Sequence, residues 1–241
     1  MTERPIIFSA AMVRAILEGR KSQTRRIVKI KWKPGVNPNF SQLWCNTWGS
    51  DKFMIYGSEE ACEPFRPPYV GGDLLWVQEA CALWMNPEGK VILPPDGDGP
   101  AYRASMTDTE WRALRHDQGV MAGIACGATE RSTGNWVVRS PRFMPRWASR
   151  ITLRVTQVWV QRLQEISEED AKAEGVEPLH GGYYPYGIST FMTVMQGDRE
   201  VPAQYCPTAR QSFQMLWGYL HGPGSWEANP WVAAILFDRI N

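Results

Sequence analysis

The sequence predicts an α+β fold, mainly β: a small β-barrel or curled sheet with flanking helices and three long loop excursions. Three observations carry this. Strand and helix patterns follow one another without the regular strand–helix–strand alternation of a parallel sheet. The clearest strands alternate apolar and polar residues, as in a sheet with one buried face. Three Pro-, Gly- and Asn-rich stretches, at about 33–70, 85–140 and 178–207, interrupt the pattern. The chain has 241 residues. No linker separates two cores, so the reading is one domain, 1–241, with insertions at those stretches.

Residues 5–8 read as a short strand. Ser9 is a candidate N-cap, and Met12, Val13, Ile16 and Leu17 then recur on one helical face. Gly19 suits the left-handed position that ends a helix, so Arg20 to Gln23 form a turn. From Thr24 the pattern becomes strand-like to Trp32. Thr24, Arg26, Val28, Ile30 and Trp32 share one face; Arg25, Ile27, Lys29 and Lys31 share the other. The first excursion reads as irregular. Gly71-Gly72-Asp73 then turns the chain into a strand over 74–80. A helix over 107–117 is compatible with the pattern, and 119–134 looks loose. Ile151, Leu153 and Val155 alternate with Thr152, Arg154 and Thr156 in the clearest strand, 151–160. Ser167 opens a second helix in a capping-box-like pattern with Asp170, and Gly175 ends it. Phe213, Leu216, Trp217 and Leu220 mark a longer helix. A turn at 222–225 leads to a last strand, 231–240.

The net charge is +1, which by itself selects no partner. Its distribution is more informative. From Arg14 to Lys33 there are eight positive charges against one negative, a net +7, so the rest of the chain carries −6. Such a stretch attracts anions at close range, although a basic run is also the ordinary look of a solvated strand face. The five cysteines are odd in number and form no CxxC pair. The three histidines form no HExxH unit. A disulfide framework, a zinc ribbon and a metal site are therefore not expected, and no cofactor is expected, because no glycine-rich nucleotide fingerprint occurs. No apolar run approaches the roughly 20 residues that span a bilayer, and the N-terminus lacks signal-peptide features. The expected setting is cytoplasmic, with no membrane partner. Of the twelve tryptophans, most sit in apolar strand patterns and read as core, although Trp also stacks on bases. Nothing in the sequence sets an oligomeric state.

Gly19, Lys21, Thr24 and Arg26 place an amine, a hydroxyl and a guanidinium at one helix-to-strand junction. Crowding by cations lowers a lysine pKa, and a neutral lysine can serve as general base toward a hydroxyl. Arg26 can bind phosphate or stabilise an oxyanion. Glu79 shares a strand face with Leu75 and Val77 and is expected to point inward. An inward carboxylate needs a partner: Arg26, an exocyclic amine of a base, or a structural ion pair. Glu174 ends the short helix, where the dipole disfavours an anion. It is therefore solvated, or it has a cationic partner such as Lys21 or Arg26.

These residues carry a resemblance. ILEGRKSQTRR is similar to the GxKxxTxR signature of the ASCH family, whose members have a PUA-like β-barrel, and Gly19, Lys21, Thr24 and Arg26 fit it residue by residue. Gly72-Asp73-Leu74-Leu75 resembles the family's turn into a barrel strand. ISEEDAKAEG resembles the helix that supplies its acidic residue, and NPWVAAILF its closing strand. The likeness covers both ends and the middle of the chain but not the excursions. FSAAMVRAILEGRKSQTRR and MPRWASRITL also resemble a longer phage and prophage branch, which would place the chain in a bacterial host's cytoplasm. By likeness to the small N4-acetylcytidine amidohydrolases, Lys21, Thr24 and Glu174 form the catalytic set. Thr24 is then the nucleophile, Lys21 its activator, and Glu174 the residue that orients the lysine or relays a proton. Arg26, Arg25, Gly19 and Glu79 are the expected substrate-binding residues, and the implied ligand is a nucleoside, a nucleotide or RNA. Three readings follow: an amidohydrolase on an acylated cytidine, a non-catalytic or RNA-cleaving nucleic-acid module, or a phage accessory or morphogenesis protein.

Overall fold

The computed structural model describes residues 3–38, 42–48, 51–57, 59–85, 91, 100–107, 109–111, 135–179, 182–183, 193–196, 199–202 and 206–240. The fold is mixed α+β with strands dominant, and the described residues form no closed barrel. The chain packs as two compact units. One comprises Ala15–Leu74 and Arg154–Arg239; the other comprises Glu3–Arg14 and Leu75–Leu153.

In the first of these units, β2 (Gln23–Ile27) pairs antiparallel with β14 (Trp231–Arg239), with Thr24 opposite Ile235 and Arg26 opposite Ala233. The long strand β9 (Thr152–Arg162) lies on the other side of β14. The expected strand from Thr24 to Trp32 therefore stops early, at Ile27. Its partner explains this. The amide of Val28 donates to the Trp231 carbonyl at 3.1 Å, and the next partner residue is Pro230, which has no N–H to continue the ladder. Helices α2 (Glu168–Ala173) and α3 (Ala209–His221) complete this unit. Phe213, Leu216 and Trp217 are buried as the helical spacing requires, but Leu220, in the last turn, is exposed.

The excursions are not plain loops. The first holds a hairpin, β3 (Trp44–Trp48) with β4 (Lys52–Tyr56), in which Trp44 and Tyr56 stack at 6.1 Å. The third holds two short ribbons: β10 (Pro178–Leu179) with β11 (Gly182–Tyr183), and β12 (Thr193–Gln196) with β13 (Arg199–Pro202). These strands are only two to five residues long, too short to show a clear period among the turn residues around them.

In the second unit, β1 (Glu3–Ile7) lies beside β5 (Leu74–Gln78). A separate sheet has β6 (Cys81–Met85) between β7 (Ala101–Tyr102) and β8 (Asn135–Arg139). Its apolar face packs Cys81, Leu83 and Met85 against Met144 and Ala148. Helix α1 (Ala10–Leu17) follows β1, and the Ser9 carbonyl accepts from Val13 at 2.9 Å. Met12, Val13 and Ile16 are buried, whereas Leu17 is exposed at the helix end. Of the helix expected over 107–117, Thr109 to Trp111 is helical and the remainder lies outside the described residues, as do the loose stretch 119–134, Cys126, His116 and His180. Among the described residues, no helix is long and apolar enough to cross a membrane.

Candidate functional site

The site belongs to the first unit and is built on period. Lys21, Gln23 and Arg25 alternate along one face of the chain entering β2, while Thr24 and Arg26 take the other. Asp170 and Glu174, four apart, share one face of α2. Backbone contacts bring the two pieces together. The Ala15 carbonyl accepts from the amides of Arg20 and Lys21, at 2.8 and 3.0 Å. Ser22 donates to the Ala173 carbonyl at 3.0 Å, and Lys21 forms an isolated antiparallel bridge with Glu174.

Two glycines make this approach possible. Gly19 (φ +75°) turns the chain out of α1, as its position in the sequence predicts. Gly175 (φ +90°) ends α2 and lies so close to its neighbours that a Cβ there would sit 2.8 Å from Lys21 Cβ and 2.9 Å from Ala15 Cβ. Only glycine fits.

The polar face is a buried ion cluster. Lys21 Nζ donates to Glu174 Oε2 at 2.7 Å, to the Glu174 carbonyl at 2.7 Å and to the Gln23 carbonyl at 2.8 Å. Arg25 Nη1 donates to Glu174 Oε1 at 3.1 Å and Arg25 Nη2 to Asp170 Oδ2 at 2.9 Å. Gln23 accepts from Arg25 through Oε1 and donates to Asp170 Oδ1 through Nε2 at 3.1 Å. The Lys21, Arg25 and Glu174 side chains are at most 2% exposed. The guanidinium of Arg25 also sits 5.8 Å from the Phe213 ring centroid. Burial lowers the Lys21 pKa, Glu174 opposes that shift, and Arg26 and Arg25 add to it. The cation crowding expected from the sequence thus acts in the stated direction, but desolvation is the larger cause.

On the opposite face, the buried Thr24 hydroxyl accepts from Arg26 Nη1 at 2.8 Å. Burial also lowers the Arg26 pKa, with Glu174 and Tyr69 opposing. The His221 ring lies tilted against Trp217, centroids 4.1 Å apart, and burial and Arg26 lower its pKa.

The expected residues therefore divide. Gly19, Lys21, Thr24, Arg25, Arg26 and Glu174 are gathered in one unit. Glu79 is in the other, just past β5, where both its oxygens are taken by Arg150, at 2.9 and 3.1 Å. Of the alternatives open to it, the structural ion pair is the one observed. Arg25, expected to bind substrate, spends its guanidinium on the two helix carboxylates. Asp170, expected to complete a capping box, instead receives Gln23 and Arg25, although Ser167 Oγ does accept from its amide at 3.0 Å. Gln23 and Asp170 are the residues that sequence reasoning missed. Their signals were present: the period of two from Lys21 and the period of four from Glu174.

The basic stretch is also largely neutralised. Arg20 pairs with Glu18, Lys21 with Glu174, Arg25 with Asp170 and Glu174, Lys31 with Glu63, and Lys33 with Glu60. Among the described residues, at least five of the eight positive charges counted there have a carboxylate partner. An open cleft of about 360 Å³ in the same unit, lined in part by Lys33, Asn37, Leu43 and Glu60, contains none of the expected site residues. Among the described residues, no group of three His, Cys, Asp or Glu side chains is placed to hold a metal ion. No family model, curated protein or solved structure significantly matches this chain.

Proposed function

We propose that the chain is an ASCH-type amidohydrolase that removes an acyl group from the exocyclic amine of a modified cytidine-type nucleoside. The observation that carries this reading is the buried contact between Lys21 and Glu174, two residues 153 positions apart in sequence. Burial lowers the Lys21 pKa, which eases passage of a proton from its ammonium to Glu174. The guanidinium bonded to the Thr24 hydroxyl favours its alkoxide form. In this reading Lys21, which donates all three of its protons in the resting site, first passes one to Glu174; Thr24 Oγ1, on the other face, then attacks the acyl carbonyl and its proton reaches Lys21 through a water relay. The carbon–nitrogen bond breaks, and the same relay returns the proton from Lys21 to the departing amine. Water hydrolyses the acyl-threonine. Glu174 holds Lys21 in place, and Arg26 stabilises the developing oxyanion.

The same reading assigns the sheet to a PUA-like barrel. Its support is the antiparallel pairing of β14 with β2, which joins the stretch resembling the closing strand to the motif strand. A nucleic-acid groove on this basic stretch is the weaker reading, because most of its cations are already paired. The test is incubation of the purified protein with N4-acetylcytidine, following release of cytidine. Turnover that is lost in Lys21→Ala and Thr24→Ala supports the assignment. No turnover by the native chain, or equal turnover by Lys21→Ala, rejects it.

A further inference from the structure

The buried cluster beside Lys21 holds one more carboxylate than a proton transfer from Lys21 to Glu174 requires. Two cations, Lys21 and Arg25, meet two carboxylates, Glu174 and Asp170, so the ionised set is neutral. Arg25 bridges the two acids: Nη1 donates to Glu174 Oε1 at 3.1 Å and Nη2 to Asp170 Oδ2 at 2.9 Å. Gln23 closes a loop of bonds beside them, accepting from Arg25 Nη1 through Oε1 and donating to Asp170 Oδ1 at 3.1 Å. Gln23 and Arg25 stand at unspecified positions of the GxKxxTxR signature, so the signature itself does not require this loop.

The transfer changes what Arg25 faces. A proton moves from Lys21 Nζ to Glu174 Oε2, which are 2.7 Å apart. The lysine becomes a neutral amine and the glutamate a neutral acid, but Arg25 stays a cation. Its side chain is 0% exposed, its Nε has no hydrogen-bond partner among the described residues, and the Phe213 ring centroid lies 5.8 Å from it. Leaving such a cation without a carboxylate is costly. Asp170 is the carboxylate that remains, and Gln23 Oε1 still accepts from the Nη1 that bonds to Glu174. Asp170 is 26% exposed against 2% for Glu174, so a charge is held there at lower desolvation cost. The set is neutral before the transfer, with two charges of each sign, and neutral after it, with one of each.

The neighbouring charges do not replace Asp170. Arg26 is bonded to Thr24 on the opposite face of β2, and Arg20 pairs with Glu18. On α2, both oxygens of Glu168 accept from the first amides of α3, at Ala209 and Arg210, while Glu169 and Lys172 are exposed. On α3, Arg210 donates to the Gln164 carbonyl and His221 lies against Trp217.

We infer that Asp170 is a positioning residue that holds the charge of Arg25 while Glu174 takes the proton of Lys21. It acts through Arg25. For its chemistry the inference rests on the hydrolase reading, but the charge-holding is measurable without substrate.

The substrate-free arm uses Glu174→Gln, whose amide stands in for the protonated acid. Asp170→Asn should shift the unfolding equilibrium constant about ten-fold further in Glu174→Gln than in the native chain, read from urea titration. The titrations are run in sucrose, which favours the compact state, so that Glu174→Gln stays folded. Failure of the double variant alone to fold is the same result. The helix cap is untouched, because Ser167 Oγ accepts from the Asp170 backbone amide.

The kinetic arm follows hydrolysis of N4-acetylcytidine. Asp170→Asn should lower kcat by about 100-fold, the lower end of what acid–base catalysis supplies, with KM unchanged. Asp170→Glu keeps the charge, and Arg25→Met/Asp170→Asn removes the cation that needs it, so both should be faster than Asp170→Asn. Additive stability losses in the substrate-free arm overturn the inference and leave the hydrolase reading intact. A native kcat in Asp170→Asn, or an Arg25→Met/Asp170→Asn chain no faster than Asp170→Asn, does the same. No turnover by the native chain, with the ten-fold coupling present, rejects the hydrolase reading and keeps Asp170 as the holder of the Arg25 charge.

Discussion

Lys21 Nζ and Glu174 Oε2 meet at 2.7 Å, with the lysine side chain 0% exposed and the glutamate 2%. Each ion is desolvated, so each depends on the other and on Arg25 for compensation. Glu174→Gln leaves two buried cations short of a carboxylate. It should cost about 3–5 kcal/mol of stability, read from urea unfolding. The double variant Lys21→Met/Glu174→Leu should cost less than Glu174→Gln. A cost below about 1 kcal/mol for Glu174→Gln, the size of an exposed pair, would show that the cluster is solvated in solution.

Gly175 and Gly19 offer a matched comparison. Both have positive φ, but only Gly175 has side-chain atoms within 3 Å of a built Cβ. Gly19→Ala should cost about 1 kcal/mol, for the left-handed backbone alone. Gly175→Ala should cost roughly 2–4 kcal/mol, since overpacking is added. Because the clash is with Lys21 Cβ, it should also reduce hydrolysis. Equal losses in the two variants would contradict the close approach of α2 to Lys21.

The pH dependence of Lys21 has a defined sign. Its folded pKa lies below 10.5, chiefly through burial. Between the folded value and 10.5 the unfolded chain holds more protons, so stability rises with pH across that window. The native chain should therefore gain stability relative to Lys21→Met as pH approaches 10.5. Arg25→Gln removes a cation that depresses the lysine, so the Lys21 titration, followed by lysine side-chain NMR, should move upward. A downward movement would contradict the shared carboxylate.

Cys81 behaves oppositely. Burial, with Glu79 adding and Arg139 opposing, pushes its thiol up to about 11. A raised thiol pKa means stability that is present below 9.0 and lost as pH climbs from 9.0 to about 11. Cys81→Ala should show less of this alkaline loss. Native Cys81 should also resist alkylation at mildly alkaline pH, as read by peptide mass spectrometry. Rapid labelling there would contradict its burial.

The sequence by itself determined the local features. Ser167 as cap, Gly19 and Gly175 as helix ends, the apolar faces of α1 and α3, and the alternation of β9 follow from short-range backbone and side-chain rules. It also placed Lys21, Thr24 and Arg26 at one junction, because they are neighbours in the chain. It could not decide which carboxylate each cation meets. Glu174 was legible as an acid that is either solvated or paired, with Lys21 and Arg26 equally open to it. Packing of α2 against the chain entering β2 presented Lys21, one of the two, together with Arg25. Glu79 was legible as inward-pointing, but its partner Arg150 is 71 residues away. The basic stretch was misleading for the same reason: its neutralising acids lie outside it, apart from Glu18. Strand ends depended on the partner too, since β2 stops where Pro230 ends the ladder. Side-chain period is a local property that a sequence displays. Ion pairing and strand length depend on what the fold brings alongside, and tertiary structure alone decides that.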